Sequence, residues 1–345
     1  MLYSLARPLL FTLDAEKAHR LTLAGLRFVP ALGAGAIDPR LAVNVAGITF
    51  PSPVGLAPGF DKNAEVARQM LNFGFGYAEI GTVTPRPQAG NQKPRLFRLT
   101  EDEAVINRMG FNNDGADVVA ARLSSWRGLP GIIGANIGAN KDSADRIADY
   151  AAMALMMAPL ADYLTINISS PNTPGLRALQ DESALTGLLD AVIEARGDIE
   201  VPLFLKLAPD LEPADIDAIA RIAIDRRLDA LIIGNTTISR PPLASSHAGE
   251  AGGLSGAPLA SLALQRLKDF RAATGGAIPL IAVGGIDSAE SAYERIRAGA
   301  SLVQIYSALV YHGVGLAQQI NHGLLHLLEH DGLATLRDAI GIDAA

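Results

Sequence analysis

Residues 167–177 read Asn-Ile-Ser-Ser-Pro-Asn-Thr-Pro-Gly-Leu-Arg and follow the apolar run Tyr163-Leu164-Thr165-Ile166. A buried strand there empties into a loop of hydroxyls and carboxamides, stiffened by Pro171, Pro174 and Gly175. Rigid polar groups at the end of a buried strand are costly unless they meet a ligand. Ser, Asn and Pro are also ordinary turn residues. Four polar side chains between Asn167 and Asn172 nevertheless favour a binding or catalytic loop over a plain turn.

A second signal lies at Ile281-Ala282-Val283-Gly284-Gly285-Ile286, a buried run ending in two glycines, with Asp287 and Ser288 opening a helix. Glycine backbone can approach a phosphate closely, and a helix N-terminus adds a favourable dipole. Gly252-Gly253-Leu254-Ser255-Gly256 can supply more N–H donors. The pattern points to a phosphate-bearing ligand without saying which. Lys206 stands inside the apolar run Leu203-Phe204-Leu205-Lys206-Leu207. A buried lysine needs an anionic partner or acts as a Schiff-base nucleophile. Lys62, after Pro58-Gly59-Phe60-Asp61, is a second candidate cation, with a salt bridge to Asp61 as its plainer reading.

Positioning these groups takes a regular scaffold. Short Val- and Ile-rich runs recur at 54–57, 77–81, 131–137, 163–168, 202–207, 230–234, 279–283 and 302–306. Amphipathic segments lie between them at 63–73, 142–158, 182–196, 212–226, 258–273 and 288–298. Asp142 or Ser143, Asp181, and Ser288 ahead of Glu290 are the expected helix caps. Continuous apolar strands are covered on both faces, which means a parallel sheet. Eight strand–helix units favour a (β/α)₈ TIM barrel over an open doubly wound sheet. The polar and glycine residues follow the strands, so they converge on the C-terminal rim, where barrel active sites form.

Two segments lie outside the barrel. Residues 41–50 alternate around Ala46-Gly47 and read as a hairpin at the barrel base. Residues 1–30 read as two short helices with a leucine face (Leu2, Leu5, Leu9, Leu13, then Leu21, Leu26 and Phe28) flanked by Arg7, Lys17, Arg20 and Arg27. They are either a pair packed on the barrel, or an interfacial membrane anchor or tunnel. The expected division is a helical extension over 1–35 and a barrel with its hairpin over 36–345.

Composition narrows the functions. The net charge of −7 is dispersed and aromatics are only 5%, so no nucleic-acid partner is expected. The absence of cysteine rules out disulfides and a thiol nucleophile. Six histidines without a His-x-x-x-His pair on an acidic helix predict no transition-metal centre. No uninterrupted apolar run reaches the ~18 residues a spanning helix needs. No small-residue cleavage site follows a basic start, so no secretory signal is expected.

Several longer runs carry a family resemblance: Gly55-Leu56-Ala57-Pro58-Gly59-Phe60-Asp61-Lys62, Glu79-Ile80-Gly81-Thr82-Val83-Thr84-Pro85 and Pro94-Arg95-Leu96-Phe97-Arg98. Ile106-Asn107-Arg108-Met109-Gly110-Phe111-Asn112-Asn113, the 167–177 loop, Gly234-Asn235-Thr236-Thr237, Gly253-Leu254-Ser255-Gly256 and Tyr306-Ser307-Ala308-Leu309 complete it. Across essentially its whole length the chain resembles the dihydroorotate dehydrogenases, specifically the quinone-dependent, membrane-associated class 2 type.

The resemblance implies oxidation of (S)-dihydroorotate to orotate with FMN, then electron transfer to a quinone, in pyrimidine biosynthesis at the cytoplasmic side of the cell membrane. Ser170 matches the family's base, taking the C5 proton while the C6 hydride leaves. A serine hydroxyl is a poor base by its own pKa and needs a relay, for which Thr173 and the loop carboxamides are candidates. Class 1 relatives have a cysteine there, and this chain has none. Lys62, Asn107, Arg108, Met109, Gly110, Phe111, Asn172, Asn235 and Thr236 would hold the substrate, carboxamides suiting its imide edges. FMN would be held by Ala57, Gly59, Phe60, Asp61, Lys62, Thr82 and Asn136, with Asn167, Lys206, Gly234, Gly256, Gly285, Tyr306 and Ser307. Lys206 would stabilise the anionic reduced form. Gly234 departs from relatives that often have Ser or Thr, which keeps a backbone contact but not a hydroxyl one. His19 and Arg98 match quinone-binding tunnel residues, Tyr306 would face the same channel, and residues 1–30 would rest on the membrane.

Rival readings remain. Another FMN barrel, such as a dihydrouridine synthase, would want a basic surface and a catalytic cysteine. A lysine-dependent aldolase would react through Lys206 and be colourless. A non-catalytic binding protein would not need Ser170.

Overall fold

Eight parallel strands close into a barrel: β1 Val54–Leu56, β2 Tyr77–Val83, β3 Ile132–Ile137, β4 Tyr163–Asn167, β5 Leu203–Leu207, β6 Ala230–Ile233, β7 Leu280–Val283 and β8 Ala300–Ile305. They pair in chain order, and β8 pairs with β1 to complete the ring. This computed structural model describes residues 2–31 and 35–344, apart from the side chains of Leu2, Ser4 and Leu5. β2, β4 and β5 are buried along their whole length, as two-sided coverage requires. The (β/α)₈ expectation holds.

Large rings fill the barrel base. A hairpin of Val43–Val45 and Ile48–Phe50 closes it, turning at Ala46 and Gly47, both at positive φ. Phe50 meets the Tyr77 ring edge-on at 5.0 Å, and Tyr163 stacks on Phe204 at 4.5 Å. Gly55 and Gly134 make room for these tyrosines: a Cβ at either would lie 2.1 Å from a ring carbon.

Helices Arg146–Met157, Glu182–Arg196, Pro213–Asp225, Ala260–Thr274 and Ala289–Arg297 match the amphipathic segments. Their caps differ in detail. Asp145, not Asp142 or Ser143, caps the first. Asp181 stands at an N-cap without a side-chain cap bond, and Ser288 pairs with Ser291 rather than Glu290.

Three features went unread in the sequence. Leu96–Leu99, Ala104–Asn107 and Gly253–Gly256 form an antiparallel sheet. Its third strand is the glycine run read only as a source of N–H donors; the pairing joins residues about 150 apart, which local pattern cannot reveal. Helices Ala116–Ser125 and Leu316–His330 are the others. The latter carries His322, His326 and His330 at four-residue spacing, a repeat the histidine reading passed over; the first two rings stack at 4.5 Å. Among the described residues no group of three or more His, Asp or Glu is placed to hold a metal ion.

The N-terminal pair is present as α1 (Leu2–Thr12) and α2 (Ala15–Leu26), with Asp14 capping α2. Leu9, Leu21 and Phe28 are 73%, 57% and 90% exposed, so this apolar face is not spent on the barrel. The expected contributions of the Leu2 and Leu5 side chains lie outside the described residues, as do Leu32–Ala34 next to the expected boundary at 35. Among the described residues no helix is long and apolar enough to cross a membrane.

Candidate active site

A cavity of about 270 Å³ opens at the C-terminal rim and runs outward beneath α1 and α2. β1 delivers Ala57, Gly59, Phe60 and Lys62 to its wall. Lys62 Nζ donates to the Gly59 carbonyl at 2.5 Å. Asp61 is not its ion-pair partner. The buried Asp61 carboxylate turns back to accept from the backbone N–H groups of Asn63, Glu65, Val66 and Ala67 at 2.7–3.2 Å, capping the short helix Ala67–Leu71. Burial holds the Lys62 ammonium down to about 8.

At the catalytic end, Ser170 follows β4, is 6% exposed, and its Oγ accepts from Asn172 N–H at 3.2 Å. Asn172 Nδ2 donates to Asn107 Oδ1 at 3.2 Å, and Asn235 Nδ2 donates to Ser169 Oγ at 2.7 Å. Met109, Gly110, Phe111 and Thr236 complete this end. The hydroxyls of Thr173 and Thr236 are buried with no hydrogen-bond partner among the described residues. An unmatched buried hydroxyl is costly by itself and is satisfied by a bound polar ligand or water.

Thr82, Asn167 and Lys206 line the floor, while Gly256, Gly285 and Ser307 line the opposite end. Lys206 is 3% exposed and donates to Gln304 Oε1 at 3.1 Å; burial lowers it to about 8. Gly285 has φ +65°, and a Cβ there would lie 2.3 Å from Ala260 Cα, so the rim loop packs backbone to backbone.

Toward the mouth, His19, Phe60 and Tyr306 form an aromatic cluster with ring centroids 5.2–6.3 Å apart. His19 Nε2 bonds the Phe60 carbonyl at 2.9 Å, so Nε2 carries the proton. Burial, then the Lys62 charge, holds its pKa near 3, which keeps the ring neutral. Arg98 donates to the carbonyls of Leu10, Phe11 and Leu13 at the end of α1, and its guanidinium lies 4.6 Å from the Phe11 ring centre.

Four expected site residues stand elsewhere. Arg108 points away from the cavity, paired with Glu250 at 2.8 Å and laid over Phe97. Asp61 is occupied by its cap. Asn136 lies behind the floor, accepting from Thr82 at 2.5 Å and Asn167 at 3.0 Å. Gly234, at φ +116°, leaves no room for a side chain, since a Cβ would sit 2.4 Å from the Val283 carbonyl.

Sequence reasoning missed Glu79, Gln304 and the Glu16–Arg95 pair. Glu79 and Gln304 are polar residues in buried strands, the same signal that exposed Lys206. Glu16 and Arg95 meet through two hydrogen bonds of 2.8 and 3.1 Å and fasten α2 to the barrel.

Fold and rim place the chain among the (β/α)₈-barrel enzymes that work at the C-terminal face. Residues 40–328 match the sequence model of the family described as dihydroorotate dehydrogenase. A dihydroorotate dehydrogenase (quinone) of Novosphingobium aromaticivorans is 67% identical over 344 residues, covering 98% of this chain and 99% of that protein. One from Erythrobacter litoralis is 63% identical, covering 99% of both. The crystal structure of DHODH from Eimeria tenella in complex with ferulenol superposes with a TM-score of 0.91 at 40% identity, over 96% of each chain. The chain belongs to the dihydroorotate dehydrogenase family, in its class 2, quinone-dependent branch.

Proposed function

We propose that the chain oxidises (S)-dihydroorotate to orotate using FMN, with a membrane quinone as terminal acceptor, in de novo pyrimidine (UMP) biosynthesis. The observation that carries this reading is the single cavity joining Ser170 to His19 and Arg98, so substrate and quinone ends share one chamber. Its interior suits FMN in two respects: a glycine-lined end beside the N-terminus of Ala289–Arg297, and Lys206 as a buried cation with no carboxylate in contact among the described residues. FMN bound there would accept hydride from the substrate ring and return electrons to the quinone.

The protein's own groups do the rest. Lys62 offers a cation to the substrate carboxylate, and Asn107, Asn172 and Asn235 offer donors and acceptors to an imide ring. The Ser170 hydroxyl receives the C5 proton, and buried polar neighbours such as Thr173 carry it onward, since serine cannot retain it. Neutral His19 and Arg98 receive the quinone head. The exposed Leu9, Leu21 and Phe28 rest the protein on the cytoplasmic side of the cell membrane. Arg108 reaches substrate only if its pair with Glu250 opens.

Purified protein assayed for orotate formation with a soluble ubiquinone analogue, fumarate or NAD⁺ tests the reading. Turnover with the quinone alone is expected. Turnover with NAD⁺ or fumarate but not quinone would contradict it.

A further inference from the structure

Behind the cavity floor lies a completely buried carboxylate. Glu79, in the middle of β2, is 0% exposed and forms no salt bridge among the described residues. Its Oε1 accepts from Asn136 Nδ2 at 2.7 Å. Its Oε2 accepts from Gln304 Nε2 at 2.7 Å and from the Tyr163 hydroxyl at 3.1 Å.

A carboxylate can only accept and an ammonium can only donate. Gln304, standing between Glu79 and Lys206, therefore has one allowed orientation: NH₂ to Glu79, carbonyl to Lys206. The same logic runs in the other direction. Asn136 gives its NH₂ to Glu79, leaving Oδ1 to accept from Thr82 and Asn167. Asn167, its NH₂ used, turns Oδ1 to the N–H and hydroxyl of Ser169 at 3.3 and 2.8 Å. The Ser169 Oγ then accepts from Asn235 Nδ2, whose Oδ1 is held independently by the Thr236 N–H at 2.8 Å. One buried anion at one end and the Ser169 backbone N–H at the other thus agree on the direction of the hydrogen bonds from β2 to the residue beside Ser170.

We infer that Glu79 is a positioning residue: it fixes the orientation of Gln304, whose carbonyl it thereby turns toward the Lys206 ammonium, and with the Ser169 N–H at the far end it fixes the orientation of Asn136 behind the cavity floor and Asn167 in it. The inference rests on the flavin reading of the cavity.

Glu79→Gln is nearly isosteric and exchanges one acceptor for a donor. With its NH₂ toward Gln304, that carboxamide must reverse, and two donors meet unless Lys206 loses its proton. With its NH₂ toward Asn136, the reversal passes through Asn167 and stops at the Ser169 backbone N–H, which cannot turn round. Either arrangement leaves a buried donor unmatched.

The test is FMN titration of deflavinated full-length protein, followed by fluorescence quenching between about pH 6 and pH 9. Wild-type affinity is expected to fall as pH rises through about 8, where burial brings Lys206 and Lys62 to lose their protons. Lys62 answers to Glu16, Arg95 and Asp61 rather than Glu79, so its midpoint is unaffected by the substitution. Burial keeps the phenols of Tyr77 and Tyr163 neutral throughout. Glu79→Gln is expected to bind FMN at least about tenfold more weakly, with the decline beginning at lower pH. Glu79→Asp, which retains the charge, restores the midpoint but only part of the affinity. A folded Glu79→Gln protein with wild-type affinity and midpoint overturns the inference. If that variant does not fold, Gln304→Leu cuts the same link to Lys206, and an unchanged midpoint there overturns it equally. Wild-type protein that binds no FMN at any pH defeats the flavin reading, and the inference with it.

Discussion

Ser170 gains its setting from its neighbours more than from its own acidity. The Asn172 N–H donates to its Oγ, and the unmatched Thr173 hydroxyl is buried in the same loop. Ser170→Ala should keep FMN bound while slowing flavin reduction by dihydroorotate about 10²- to 10⁴-fold, the loss of a general base. Anaerobic stopped-flow absorbance checks this, and reduction at the normal rate would remove Ser170 from that role. Lys62 makes a separate prediction. Held at about 8, it loses its charge as pH rises through that value, so its attraction for a carboxylate substrate is present below pH 8 and fades above it. The KM for dihydroorotate should therefore climb above pH 8, and a KM flat to pH 10 would place the substrate carboxylate elsewhere.

Among the elements, α1 and α2 connect the outside to the chamber. Tyr3 and Arg7 bond the carbonyls of Val310 and Tyr311, Arg98 caps the end of α1, and Glu16 grips Arg95. Arg95 also donates to the carbonyl of Asn91, whose side chain donates to the carbonyl of Asn172. Removing residues 1–30 should cripple reoxidation by quinone more than reduction by dihydroorotate; equal loss of both half-reactions in folded protein would contradict the tunnel. Glu16→Gln leaves Arg95 buried without its counter-charge and should loosen the pair by about 3 kcal/mol, seen as faster amide exchange across residues 2–26. Arg95 holds the Glu16 carboxyl down to about 2, against an ordinary 4.5. That stabilisation is intact above pH 4.5 and is lost as pH falls toward 2. Unchanged exchange in the variant would show that packing alone holds the helices.

Taken as a whole, the molecule's barrel was legible because each strand is a short apolar run and each chemical group follows a strand. All eight strands stand within a residue or two of their expected places. The hairpin was legible for a similar reason, since Ala46-Gly47 interrupts a clean alternation. The three-stranded sheet was not, because Gly253–Gly256 finds its partner at Ala104–Asn107, far away in sequence. Site membership followed the same divide. Residues on strand ends, such as Lys206 and Thr82, reached the cavity as expected. Arg108 did not, because a surface carboxylate and the Phe97 ring compete for its guanidinium. Glu79 passed unnoticed although its signal equalled that of Lys206. An acid in a buried strand needs partners that only the closed barrel brings together.

The central claim is that one chamber serves both dihydroorotate and quinone. Anaerobic absorbance of the purified protein, with dihydroorotate and then a quinone analogue added, tests it most directly. Bleaching of flavin bands by the first addition and their return with the second is the expected result. A yellow protein indifferent to dihydroorotate, or one bleached by it that quinone cannot restore, would contradict the account.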